Sequence, residues 1–98
     1  MEEVQAGDGA RLAVSGELDL ATADKFAARL RALSATGSTV LLDLSGVEFM
    51  DSSGLTALVA TIAEAREADR HIEVAPELGR QVTRLLEITG TASFLAAA

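Results

Sequence analysis

At 98 residues the chain is sized for one domain and not two, and with 49% hydrophobic but only 3% aromatic residues its core must be aliphatic. Its 8 basic and 15 acidic side chains give a net charge of −7, which argues against a nucleic-acid partner and against docking on an anionic membrane, since both need a Lys/Arg surface. The lack of cysteine excludes disulfides, zinc–thiolate sites and thiol catalysis.

No apolar run approaches the ~20 residues that span a bilayer. The acidic start Met1-Glu2-Glu3-Val4 lacks the basic-then-apolar order of a signal peptide. The expected location is therefore the cytoplasm, and the expected unit is a single domain over residues 1–98.

Val4 and its neighbours suit a short first strand, Gly7-Asp8-Gly9 a turn, and Arg11-Leu12-Ala13-Val14-Ser15 an alternating, half-buried second strand. Gly16-Glu17-Leu18-Asp19 reads as a loop leaving that strand, and Thr22 as the N-cap of a helix from Ala23 to about Leu33. Phe26, Leu30 and Leu33 recur at helical spacing, with Lys25, Arg29 and Arg31 on the other face and Gly37 just past the end. Val40-Leu41-Leu42-Asp43-Leu44 is an almost wholly apolar run that suits a strand covered on both faces, ended by Ser45-Gly46.

Val47, Phe49 and Met50 then lead into Asp51-Ser52-Ser53-Gly54, and from Leu55 the stripe Leu55, Leu58, Val59, Ile62 is helical. Gly54 falls in the first turn, where another backbone can come close. His71-Ile72-Glu73-Val74 alternates as a fourth strand, and Pro76 reads as the first residue of a further helix with Leu78, Val82, Leu85 and Leu86 on one face and Gly90 at its end. The order β-β-α-β-α-β-α predicts an α/β fold. A mixed sheet of about four strands carries an N-terminal β-hairpin, right-handed crossovers join its later strands, and amphipathic helices cover at least one face.

Asp51-Ser52-Ser53-Gly54 is the segment where chemistry is expected. The loop after a parallel strand's carboxyl end is the usual functional position in an α/β sheet. A helix start offers free N–H groups and a partial positive charge. A phosphate on a serine there is compatible with the fold, because a helix N-terminus favours negative charge. The plain structural role is an N-cap by Ser52 or Ser53, and the two roles can coexist on neighbouring serines.

Three segments resemble the STAS family, in particular the bacterial anti-sigma factor antagonists. One is Leu41-Leu42-Asp43-Leu44-Ser45-Gly46-Val47-Glu48-Phe49-Met50-Asp51-Ser52-Ser53-Gly54-Leu55. A second is Gly16-Glu17-Leu18-Asp19 with Thr22-Ala23, and the third is Arg84-Leu85-Leu86-Glu87-Ile88-Thr89-Gly90. The resemblance implies a STAS-like fold that acts in bacterial signal transduction and transcription regulation by partner switching. The unphosphorylated chain would bind an anti-sigma factor that is itself a serine kinase. Phosphorylation of Ser52 would release it, and a serine phosphatase would restore it. ATP and Mg²⁺ then belong to the kinase, and the chain itself needs no cofactor. The same resemblance assigns partner contacts to Gly16, Glu17, Asp19, Thr22, Asp51, Ser52, Ser53, Gly54 and Leu55, although Asp19, Thr22 and Asp51 also suit loop or cap roles. Two departures stand out: the chain stops soon after Phe94, and Thr56 takes a place where a smaller residue is common.

Phosphorylation adds about −1.5 to −2 charges. An unpaired charge buried at an interface costs roughly 2–5 kcal/mol, which lowers affinity by about 30- to several-thousand-fold.

Enzymatic readings are poorer. The single His71 begins a strand, no Gly-x-x-x-x-Gly-Lys loop occurs, and Asp51 is followed by Ser-Ser-Gly without the strand-end lysine of a phosphoaspartate receiver. Asp19, Asp43 and Asp51 read better as solvated loop carboxylates than as a metal site. The alternative to a phospho-switch keeps the fold and makes the chain a scaffolding or regulatory subunit of a larger complex, such as a lipid-transport or stress-sensing assembly, with Ser52 only a cap. Small-ligand sensing, a third class, finds no polar cluster to support it.

Overall fold

The computed structural model describes residues 1–6 and 9–96, so Gly7 and Asp8 of the expected turn lie outside the described residues. The elements are β1 (Glu2–Ala6), β2 (Gly9–Leu18), α1 (Ala23–Ala35), β3 (Thr39–Met50), α2 (Ser52–Glu67), β4 (Ile72–Val74), α3 (Arg80–Thr89) and α4 (Ala92–Ala96). The sheet order is β1-β2-β3-β4, with β1 antiparallel to β2 and the other two pairings parallel. This is the expected mixed four-stranded α/β fold with an N-terminal hairpin.

Period-two alternation sends Leu12, Val14, Val40, Leu42 and Leu44 to one face of the sheet, where each is buried. The period-3.6 stripes of α1 (Phe26, Leu30, Leu33) and α2 (Leu58, Ile62) close over them in one aliphatic core. The opposite face stays open. The register row Val4, Arg11, Leu41, Glu73 leaves Val4, Arg11 and Glu73 exposed and Leu41 half-buried. Arg11 and Asp43 form an ion pair on that face. The apolar run 40–44 is thus covered on one side only, contrary to expectation. Its odd positions, Leu41 and Asp43, are half-buried.

Two expected breaks are not breaks. Gly16-Glu17-Leu18 stays in β2 and pairs with Val47, Phe49 and Met50, and Ser45-Gly46 stays in β3. β3 absorbs the irregularity as an extra residue at each of two register shifts, opposite Ala13–Ser15 and opposite Gly16–Glu17, with Gly16 at φ +79°. The helix expected at Pro76 begins only at Arg80. Ala75 still pairs with Leu42, and the chain then crosses to the second half of β3, where Gly79 fits because a β-carbon would stand 2.9 Å from the Val47 carbonyl oxygen. α3 buries Val82 and Leu86 and ends at Gly90 in the left-handed conformation, φ +71°. The short α4 buries Leu95 and is held by Arg66, which donates to the Phe94 carbonyl at 2.7 Å and lies 4.3 Å from its ring centre. None of the described helices is long and apolar enough to cross a membrane.

Candidate functional site

Leu18 and Met50 are register partners at the carboxyl ends of two parallel strands, so the loops that follow leave the sheet side by side. Asp51 ties them together. Its N–H donates to the Leu18 carbonyl at 3.3 Å. One carboxylate oxygen accepts from the Gly54 N–H at 2.9 Å, and the other from the Leu20 N–H at 3.3 Å. Its backbone is extended (φ −107°, ψ −174°), as an N-cap requires. Asp51, and neither serine, caps α2.

That assignment leaves Ser52 as the first helical residue, exposed, with Ser53 half-buried behind it. Gly54 is buried against the end of β2, and Leu55 packs on the core. A β-carbon on Gly54 would stand 2.1 Å from the Leu18 carbonyl oxygen, so the close backbone approach expected at this glycine is present.

The other loop is organised by its own side chains. Asp19 accepts from the Ala21 N–H at 3.1 Å, and the Thr22 hydroxyl accepts from the Asp19 N–H at 3.0 Å. That hydroxyl also reaches the Glu17 carbonyl at 3.1 Å. Thr22 precedes α1 as expected but makes no cap bond, because its helical backbone (φ −114°, ψ −12°) turns the hydroxyl back toward Asp19.

A groove of about 400 Å³ runs between α1 and α2, lined by Leu20, Asp24, Arg31, Ser52, Ser53 and Thr56 among others. Leu20 is 79% exposed at its mouth. Arg31 meets Glu64 across the two helices in a paired contact at 2.8 and 3.1 Å. This bond raises the Arg31 guanidinium and lowers the Glu64 carboxyl from their ordinary values. Glu17 and Thr22 line a different recess, with Met1 and Lys25. The predicted residues therefore fall into two sets: Asp51, Ser52, Ser53 and Gly54 gather at the start of α2, while Gly16, Glu17 and Thr22 flank the end of β2, with Asp19 between. Among the described residues no group of three or more His, Cys, Asp or Glu side chains is placed to hold a metal ion.

Sequence reasoning missed Leu20, Phe49 and Gln81. Leu20 carried a signal, an apolar residue outside both stripes in a polar loop. Phe49, 45% exposed, precedes buried Met50, so strict alternation would have turned it outward. Gln81 carried none: its amide pairs with Met50 from 31 residues away.

Solved structures share this fold. An anti-sigma factor antagonist from Mycobacterium paratuberculosis matches at 26% identity and TM-score 0.77, over 96% of this chain and 80% of that one. The anti-sigma factor antagonist SpoIIAA in its unphosphorylated form matches at 16% identity and TM-score 0.67, over 88% and 80%. A sulfate transporter family protein from Wolinella succinogenes matches at 16% identity and TM-score 0.71, over 87% and 69%. The family model described as "Mlab, STAS domain" matches residues 1–96, and the chain belongs to the STAS domain family.

Proposed function

We propose that the chain, as a single STAS-like domain over residues 1–98, is an anti-sigma factor antagonist controlled by phosphorylation of Ser52. Unphosphorylated, it binds an anti-sigma factor that is a serine kinase. Modified, it lets go, until a serine phosphatase restores it. The cytoplasm is the proposed setting. The observation that carries the reading is the division of labour at the start of α2: Asp51 takes the cap, so the exposed Ser52 hydroxyl can be esterified without removing a bond that holds the helix. A phosphate there meets the positive end of α2 and stays compatible with the fold. The same phosphate stands on the rim of the α1–α2 groove beside Leu20, where a bound partner would have to desolvate it.

Similarity to the mycobacterial antagonist and to SpoIIAA, which has been solved unphosphorylated and phosphorylated, supports this reading. The test is incubation with candidate anti-sigma kinases and ATP, followed by mass-spectrometric mapping. Label on Ser52 is expected; a partner that binds but leaves Ser52 unlabelled contradicts the mechanism.

The name of the matching family model and the similarity to a sulfate transporter family protein favour a second reading, a scaffolding or regulatory subunit without phospho-switching. Ser52→Asp separates the two. Loss of partner binding fits the switch, and unchanged binding fits the subunit.

A further inference from the structure

β4 pairs with β3 only as far as Leu42, so among the described residues the second half of β3 has no strand on that side. At its last residue a side chain replaces one. The Gln81 Oε1 accepts from the Met50 N–H at 2.8 Å, and its Nε2 donates to the Met50 carbonyl at 2.9 Å. In a strand the N–H and C=O of one residue point the same way, so a primary amide, with one donor and one acceptor, mimics a neighbouring strand. On the other side Met50 is in register with Leu18, and the next N–H, that of Asp51, bonds the Leu18 carbonyl. The backbone entering the cap is thus held from both flanks. Gly79, close under the Val47 carbonyl, lets α3 come near enough for Gln81 to reach.

We infer that Gln81 is a positioning residue for Ser52: it fixes Met50, Met50 fixes Asp51, and Asp51 sets where Ser52 stands. This rests on the reading of Ser52 as the control point, and it adds that α3, which contributes nothing to the groove, governs it. Glutamine is required because both halves of its amide are used. Leucine fills a similar volume and leaves two backbone groups without partners. Glutamate keeps the acceptor for the Met50 N–H but, when ionised, sets a second acceptor against the Met50 carbonyl. When protonated it recovers a donor.

The test uses the full chain alone and then with its kinase. Amide NMR spectra of wild type, Gln81→Glu and Gln81→Leu are recorded from about pH 4 to 8, a range that spans carboxyl titration. In Gln81→Glu at neutral pH, the signals of Asp51, Ser52, Ser53 and Gly54 should shift and their hydrogen exchange should quicken about tenfold or more. Acidification should return them toward the wild-type positions, while those of Gln81→Leu stay displaced. Unmoved signals, equal displacement across β1 and β2, or no return in acid overturns the inference. In the second arm the rate of phosphate transfer to Ser52 at neutral pH should fall about tenfold in both variants. A wild-type rate despite displaced signals also overturns it. If wild type itself takes no phosphate, the phospho-switch fails, and the partner-free spectra still decide whether Gln81 positions the loop.

Discussion

The carbonyl oxygen of Leu18 occupies the space that a side chain on Gly54 would need, 2.1 Å from an ideal β-carbon position. The end of β2 is therefore seated on the first turn of α2, and the two nearest atoms in the contact belong to the Leu18 backbone, which cannot swing aside as a side chain could. Gly54→Ala should force the strand and helix apart and cost about 1–3 kcal/mol, the usual penalty of overpacking. Urea unfolding measures it. A change below about 0.5 kcal/mol would mean that the two elements separate freely.

Asp51 serves both loops at once. Asp51→Ala removes the cap bond to Gly54 and the tie to Leu20, and should cost about 0.5–2 kcal/mol. Asp51→Asn keeps an oxygen for the Gly54 N–H and should retain most of that stability. Thermal unfolding of the two variants beside wild type checks the order.

Leu20 is the most exposed large apolar side chain among the described residues, at 79%, on the rim it shares with Ser52. Leu20→Ala should leave unfolding unchanged within about 0.5 kcal/mol. If Leu20 is a partner anchor, it should weaken kinase binding by 1 kcal/mol or more, roughly fivefold or above. Isothermal titration reads the second quantity, and unaltered affinity would move the interface elsewhere.

On the open face, the hydroxyl and N–H of Ser45, together with the Arg11 guanidinium, hold the Asp43 carboxyl below its ordinary value. A depressed carboxyl stabilises the fold above its unfolded pKa, and the contribution disappears as pH falls through the folded one. Because the pair lies at the sheet surface, with the Arg11 side chain 48% exposed beside a half-buried Asp43, solvent screening should keep the effect below about 1 kcal/mol. Asp43→Asn should therefore lower stability at neutral and alkaline pH by up to that amount and change little below the folded pKa, which flattens the acid limb of the stability–pH curve. An acid limb unchanged by the substitution would show that other carboxyls set it.

Arg66 is the latch of the C-terminal helix through its bond and stacking at Phe94. Arg66→Ala should loosen α4 at a cost of about 1 kcal/mol. Proteolysis should then begin at the C-terminus, while exchange at Ser52 stays as in wild type. Faster exchange at Ser52 would couple α4 to the site.

Period and position made much of this legible in the sequence. Phe26, Leu30 and Leu33, and then Leu58 and Ile62, are buried where helical spacing puts them, and Gly54 makes the close approach its place before Leu55 suggested. What was not legible depends on partners distant in sequence. Thr22 looked like a cap because local chemistry allows it, but Asp19 lies closer to its hydroxyl than any helical N–H does. Gly16 looked like a strand end because glycine favours turns, whereas β3 absorbs the irregularity in its own register. Leu41 looked doubly covered because composition does not reveal that its register neighbours, Arg11 and Glu73, are exposed and leave it half-buried. Gln81 could not be read at all, since its partner is the backbone of Met50 and a backbone leaves no residue type to recognise.

The central claim is that esterifying one hydroxyl alters recognition and spares the architecture. The most direct measurement is the affinity of the anti-sigma kinase for the unmodified chain and for the chain phosphorylated stoichiometrically at Ser52, with circular dichroism and unfolding recorded on both. The account predicts matching spectra and stabilities with affinity lowered about 30-fold or more. Equal affinity for the two forms, or a phosphorylated chain that no longer folds, would contradict it.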